Sequence, residues 1–456
     1  MRLTERFALI MKRHLAHGLS PDSSDTDSDP GSYDTTDVFD AIPSEDVAIK
    51  RTFMEEIMPV PSGTKYIFNI PRDREYCTDL RHCFVKVNVQ VFKSNGENLT
   101  EDDKKKIQPC NDFFDALFSD VTVCLNHQNV GADFTHNPQT ALLHRLLNNS
   151  SSFLDDILSQ SIIWKKDYGY PCNPASDRHA WIEGSKEVKL YGQLTHNFFT
   201  TNRFLMPNID VQITLTPNNS ENCLIRTAAH VFGRKLLDTY KIVFNDIKLI
   251  VRRPVFYESI LRRVDKLLAM GAPAKCTFTE TKPYFYNIGK GIRIWRQAIP
   301  ISNPKRLYFA ICDEDSLNGT NWENNPMIFP TGVYKPCRVQ FYANSKPIME
   351  RPYELDVDKI DIAESYMTLV QTTSAFKTGN PIAITDKDFA RLYGVFCCDN
   401  FQKESNNIEV EVQFKEELPN GIIGVVFQQT DKCFSYSRTK YGLDVQIPVK
   451  PLYYPK

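Results

Sequence analysis

The sequence predicts an all-β fold of two antiparallel sandwiches in one chain, carried behind a charged N-terminal arm. Three observations predict it. Many short segments alternate apolar and polar residues with a period of two. Helical patterns are few and fall irregularly between those segments, which argues against a parallel α/β fold. The patterned body runs from about residue 50 to the end of a 456-residue chain. About 400 residues are too many for one sandwich.

In chain order, the first zone is "MRLTERFALIMKRHLAHGLS". Leu3, Phe7, Ile10, Met11 and Leu15 share one helical face, with Arg2, Arg6, Lys12 and Arg13 around the others, which predicts a short basic amphipathic helix. Residues 22 to 46 then hold nine acids and no Lys or Arg. One charge sign with Ser, Gly and Pro predicts a disordered linker. The body opens with "VKVNVQVF", where Val85, Val87, Val89 and Val91 share one face of a half-buried strand. Val121, Val123 and Leu125 of "VTVCLN" do the same. Further strands are expected at "DVQITL", "DIKLIV", "RLYFAI", "CRVQFY", "IEVEVQF" and "IIGVVF". "NPQTALLHRLL" predicts a helix with Asn137 as cap and Pro138 at its first position. "YESILRRVDKLLAMG" predicts a second, ending at Gly271.

Two echoes support a duplicated architecture. "NIDVQITL" (208–215) and "NIEVEVQF" (407–414) share their order of residue types. "VTVCLNHQNV" (121–130) and "RVQFYANSKP" (338–347) are each a strand running into a polar turn with Asn.

Net charge is −2, so no whole-chain basic footprint for nucleic acid exists. Arg252–Arg253 and Arg262–Arg263 are short basic runs, the second reading as a solvated helix face with Glu258 and Asp265. The twelve cysteines include Cys77, Cys83, Cys110, Cys124, Cys172 and Cys223, and only Cys397 and Cys398 adjoin. No CxxC occurs, and reduced thiols in an intracellular protein are expected. The N-terminal apolar run is too short for a signal peptide, and no stretch approaches the ~20 apolar residues of a membrane span. The sequons at Asn98, Asn148, Asn149, Asn218 and Asn318 are then without consequence.

Catalytic patterns are missing. The nine histidines (His14, His17, His82, His127, His136, His144, His179, His196 and His230) form no HExxH or His-x-His pair. There is no GxSxG, Walker loop or GxGxxG. Gly289 and Gly291 in "IGKGIR" read as a turn between strands, and "DEDS" (313–316) as solvated loop charge. His127 and His136 flank a turn and read as surface residues. No catalytic, cofactor-binding or metal site, and no cofactor, is expected.

Several segments together carry a family resemblance. "YCTDLRHCFVKVNVQVF", "NDFFDALFSDVTVCLNHQNV", "LLHRLL", "IIWKKDYG", "LYGQLTHNFFTTNRFLMPNIDVQITLTPN", "LIVRRPVF", "IPISNPKRLYFAICDEDSLNGTNWENNPMIFP" and "ITDKDFARLYGVFCCDNF" resemble, in order, Polinton (Maverick) and adintovirus major capsid proteins over about residues 50 to 440. The resemblance implies a double jelly roll, two eight-stranded antiparallel sandwiches in one chain, like virophage capsid proteins and adenovirus hexon. It further implies homotrimers of pseudo-sixfold outline, a virion capsid lattice and a penton-type minor capsid partner. The division expected is an arm over 1–49, a first jelly roll over 50–245 and a second over 246–456. Phe113, Phe114 and Phe118 are expected as buried anchors beside the "VTVCLN" strand. The arm is expected to dock on a neighbouring subunit, a cement protein or packaged DNA. The competing readings are a jelly-roll lectin or glycosidase, and a minor penton-type capsid protein. The former needs a cleft lined by Trp and paired carboxylates; the four tryptophans are Trp164, Trp181, Trp295 and Trp322.

Overall fold

A computed structural model describes residues 37–446, except 43–44, 131–136, 168–176, 202, 227–228, 232–233, 237–238, 273, 302–303, 318–324, 360, 374–380, 400, 402–406 and 440–441. The expected basic helix, most of the acidic linker, Cys172, His136, Asn318 and Trp322 lie outside the described residues.

Sixteen of the 23 described strands make two matching sets, and the other seven are short pieces that extend or flank those sheets. The first set is β1 (Ile49–Ile57), β2 (Lys65–Ile70), β3 (Asp79–Lys93), β4 (Phe118–Leu125), β5 (Gln128–Asn129), β6 (Val188–Gln193), β7 (Val211–Pro217) and β8 (Tyr240–Phe256). The second is β9 (Ala274–Ile288), β10 (Ile294–Ile299), β11 (Arg306–Asp313), β12 (Pro336–Ala343), β13 (Lys346–Pro347), β14 (Val395–Cys398), β15 (Ile408–Phe414) and β16 (Ile422–Thr439).

The first set forms sheets ordered β1-β8-β3-β6 and β2-β7-β4-β5, and the second forms β9-β16-β11-β14 and β10-β15-β12-β13. Counted within each set, both read 1-8-3-6 and 2-7-4-5. Every one of these pairings is antiparallel. That order is the jelly roll, written twice. Three described helices are ten to twelve residues long: α1 (Asn137–Asn148), α2 (Glu258–Ala269) and α3 (Ala363–Thr372). A shorter one, α4 (Asp386–Arg391), starts in a capping box on Thr385.

The two sequence echoes fall on equivalent strands. β7 and β15 are the seventh of their sets, and β4 and β12 the fourth. Both fourth strands turn back through two residues of positive φ, Asn126–His127 (45° and 67°) and Asn344–Ser345 (51° and 63°). Positive φ at both positions is what a type I′ hairpin demands, so His127 sits where the turn needs it. Gly291, φ 78°, lies in the turn between β9 and β10, as the "IGKGIR" reading expected.

Period-two alternation buries the expected faces. Val85, Val87, Val89 and Val91 are fully buried on the inner side of β3, as are Val123 and Leu125 on β4. Phe113 and Phe114 lie in a single helical turn (Phe113–Ala116) before β4, and with Phe118 they are at most 1% exposed. Gly192 in β6 permits this: a Cβ there would stand 2.5 Å from the Phe114 ring. Helix α2 follows β8 directly, and Gly271, φ 81°, stops it as expected. β8 itself runs unbroken through residue 245 to Phe256.

One part of the expected linker is ordered. Val38 and Phe39 are buried in a short 3₁₀ turn (Val38–Ala41). Asp37 accepts from the Phe39 amide (2.9 Å) and from the Lys275 amide of β9 (3.0 Å). Phe39 packs against Tyr436, with Arg203 over its ring at 4.8 Å. Two apolar residues inside an acidic run suffice to dock it, where composition alone predicted disorder.

Candidate functional site

Among the described residues no catalytic constellation assembles, and what they build instead is a junction between the two sets of strands. Lys166, between α1 and β6, reaches Asp388 of α4 at 2.8 Å and donates to the Ala383 carbonyl at 2.5 Å. Asp167 accepts from Arg178 at 2.6 Å and from Asn325 at 2.5 Å. Arg178 and Asn325 are each 1% exposed. The Ala383 amide donates to the Leu146 carbonyl of α1 at 2.7 Å, and Asn126 donates to the Leu443 carbonyl at 3.1 Å. The apolar part centres on Phe198, in a 3₁₀ turn (Asn197–Thr200) between β6 and β7. Its ring lies 5.7 Å from Phe278 and 5.3 Å from Phe434. Buried charges are tolerated only when paired and hydrogen-bonded. These pairs therefore fix one relative placement of the two sandwiches.

A second buried cluster lies within the first sandwich. Arg145 of α1 holds Asp115 through Nη2 (2.7 Å) and Nε (3.1 Å), and its Nε is 3.4 Å from Asp112. Thr195 donates to Asp115 at 2.9 Å. Two carboxylates share one guanidinium here. Burial, and then the Asp115 charge, push the Asp112 carboxyl well above its ordinary range, so it keeps its proton. Both acids are enclosed, at 0% and 2% exposure. They are a paired-carboxylate motif without the cleft a glycosidase requires.

The other chemistry-bearing residues are absorbed by structure. Asp313 of "DEDS" accepts from the amides of Asp315 (2.9 Å) and Ser316 (3.3 Å), capping the turn Glu314–Leu317 rather than standing in solvent. Arg252 pairs with Asp79 at 2.7 Å, and buried Arg253 donates to Thr78 at 2.7 Å. Arg262 pairs with Glu258 on an exposed helix face, as expected. His179 meets the Ile107 carbonyl at 2.7 Å. His196 accepts from the Phe198 amide at 3.2 Å and so caps the turn that carries Phe198. Desolvation lowers His196 to about 4. His144, which keeps a small exposed edge, is likewise lowered to about 4, first by desolvation and then by Arg145.

Among the described residues, no group of three His, Cys, Asp or Glu could hold a metal ion. The eleven described cysteines are unbridged. Trp164 and Trp295 are buried and Trp181 packs against the core, so the described tryptophans line no sugar-stacking surface. No described helix is long and apolar enough to cross a membrane. Sequence reasoning missed the junction, since its partners are distant in sequence; the separation is 158 for Asp167 and Asn325, 217 for Lys166 and Ala383, and 222 for Lys166 and Asp388.

The outer faces of the two 1-8-3-6 sheets differ. In the second sandwich Phe427, Tyr308 and Cys397 point outward yet are at most 2% exposed. In the first, Ile250 and Phe84 are paired neighbours and only half-buried, and Tyr191 is 41% exposed.

Two eight-stranded jelly rolls locked side by side define a double jelly-roll protein. No family model and no curated protein matches the chain. Solved structures do match. A chain of the Sputnik virophage aligns over 95% of this chain and 95% of its own, at 13% identity and TM-score 0.57. The Faustovirus major capsid protein aligns over 94% and 97%, at 8% identity and TM-score 0.57. The PBCV-1 virus capsid gives 87% and 96%, at 10% identity and TM-score 0.51. At these identities the likeness is one of fold, and the fold is the expected double jelly roll.

Proposed function

We propose that this chain is the major shell protein of an icosahedral virion of Polinton or adintovirus type, assembled from hexon-like homotrimers. The observation that carries the reading is the repetition of one complete jelly-roll order within a single chain, locked by the polar junction. Three such chains place six similar sandwiches around an axis, which suits the sixfold positions of a shell. The enclosed carboxylates support a structural role over carbohydrate chemistry, and two rolls support a major over a penton-type protein. The likeness to capsid folds supports the shell, and the ordered run of sequence segments supports the lineage.

In this reading the chain divides into an arm (1–49), a first roll (50–245) and a second roll (246–456), with β8 carrying the first roll on to α2. The protein resides in the virion capsid after assembly inside the host cell. A penton-type minor capsid protein fills the fivefold positions. The arm faces the interior and binds a neighbouring subunit, a cement protein or packaged DNA. Its few net positive charges act together across many copies.

Light scattering on purified protein tests the reading. A species of three chains is expected. A strictly monomeric, folded, β-rich species at micromolar concentration overturns it. Deleting residues 1–46 is expected to spare trimers and impair filled-particle assembly; unimpaired assembly removes the arm's role.

A further inference from the structure

We propose that the outer face of the β1-β8-β3-β6 sheet is a docking surface for a second copy of this chain, and that the second copy presents helix α3 to it. The proposal rests on the shell reading above and names one contact within it.

The chain already contains the equivalent contact once. Helix α1 lies between the fifth and sixth strands of the first set. Its Leu143, His144 and Leu147 face Thr281, Tyr308 and Gln429 of the second set across a cavity of about 50 Å³. There Tyr308, on the third strand of its set, is covered to 2% exposure. The corresponding face of the first set is left open. Phe84 occupies its third strand and stacks on Tyr191 with centroids 5.0 Å apart and planes 18° from parallel. Met54, on the edge strand β1, is 50% exposed.

Helix α3 lies between the fifth and sixth strands of the second set. Its buried residues are Ser365 and Leu369. On another side Ala363, Met367 and Val370 follow one another at i, i+4 and i+7, and Met367 is 41% exposed. There Ala363 and Met367 line an open groove with Ser150, Ser151, Pro381 and Ile382 of the same chain, which leaves Met367 exposed. The helix is tied to its own half: Ser365 donates to the Glu354 carbonyl at 2.7 Å, and Tyr366 to the Ile384 carbonyl at 2.9 Å. It therefore meets a first-set sheet only on another copy. The contact is heterologous: each copy offers a helix on one side and a sheet on the other. Repetition of such a contact closes a ring or grows a filament.

Co-expression of two single variants, Met367→Cys and Tyr191→Cys, tests it under mild oxidation. Each variant alone is expected to run as a single chain on a non-reducing gel, and the mixture to give a covalent dimer. A Tyr191→Glu variant is expected to weaken assembly about 30-fold, the loss of a central aromatic contact. Both substituted side chains are exposed, so folding is not at stake. If light scattering shows assembled wild type while the mixture gives no cross-link and Tyr191→Glu assembles normally, this contact is wrong and the shell reading stands. If wild type itself stays monomeric, the shell reading has failed and the contact with it.

Discussion

Replacing Phe198 by alanine removes the apolar centre of the junction. The ring is fully buried and lies between two aromatics of the second sandwich, at 5.7 and 5.3 Å, with Phe199 at 6.5 Å. Phe→Ala in a packed core costs about 3–5 kcal/mol. The two aromatic pairs that cross the junction account for about 1–3 kcal/mol of it, at about 0.5–1.5 kcal/mol each. For a cooperative unit of 150–250 residues, 1 kcal/mol moves Tm by about 2–4 °C, so a fall of about 6–20 °C is expected. Differential scanning calorimetry reads it directly. Because the lost contacts join the halves, one transition is also expected to broaden or divide into two. Met58→Ala, at an exposed position just after β1, serves as the control and changes stability by about 0.5 kcal/mol or less. A Tm fall below about 2 °C for Phe198→Ala, with the transition unchanged, would refute the claim that this ring ties the halves together.

Three further substitutions report on buried polar groups. Lys166→Met strands Asp388 and the Ala383 carbonyl, and is expected to cost about 3–5 kcal/mol in denaturant titrations. His196 is held near 4 in the fold against about 6.5 when free, so the unfolded chain takes up a proton that the native state refuses. Its contribution is complete above pH 7, falls as pH drops from about 6.5 toward 4, and amounts to about 2 kcal/mol lost at pH 5; His196→Asn, which keeps a cap acceptor, is expected to flatten that part of a stability–pH curve. Asp112 runs the other way: its raised value means that stability is full below the ordinary carboxylate value of 3.8 and is lost as pH rises from there toward the raised value. Asp112→Asn, a neutral isostere, is therefore expected to raise stability at pH 7 and to flatten that loss in the same titration.

Strands with one wet face were legible in the sequence because the pleat writes its period there directly, as at Val85 to Val91 and Val121 to Leu125. The echoes were legible for the same reason, and β7 with β15, and β4 with β12, turned out to be topological equivalents. β9 was not anticipated. It carries Pro283 in its middle, which argues against a strand, yet it lies at the edge of its sheet, where a missing amide is tolerated. Helix α3, with Thr368, Val370 and Thr372, has too many β-branched residues to announce itself. The docking of Val38 and Phe39 was hidden by the acids around them. The junction was illegible in principle: nothing local to Lys166 or Asp167 indicates that Asp388 and Asn325 complete them.

Helix α2 is the single covalent passage from one half to the other, and the junction makes that passage mechanically redundant. A cut near Gly271 leaves Lys166, Asp167, Phe198 and Asn126 still holding the far half. The two polypeptides so produced are expected to stay together as a native-like pair. The same independence allows the halves to be supplied as separate genes and joined after synthesis. It also lets a foreign segment be inserted at residue 271 without passing through either sandwich. The loop there is thus a place where the chain can be opened, lengthened or labelled while both sandwiches stay where the polar ties put them.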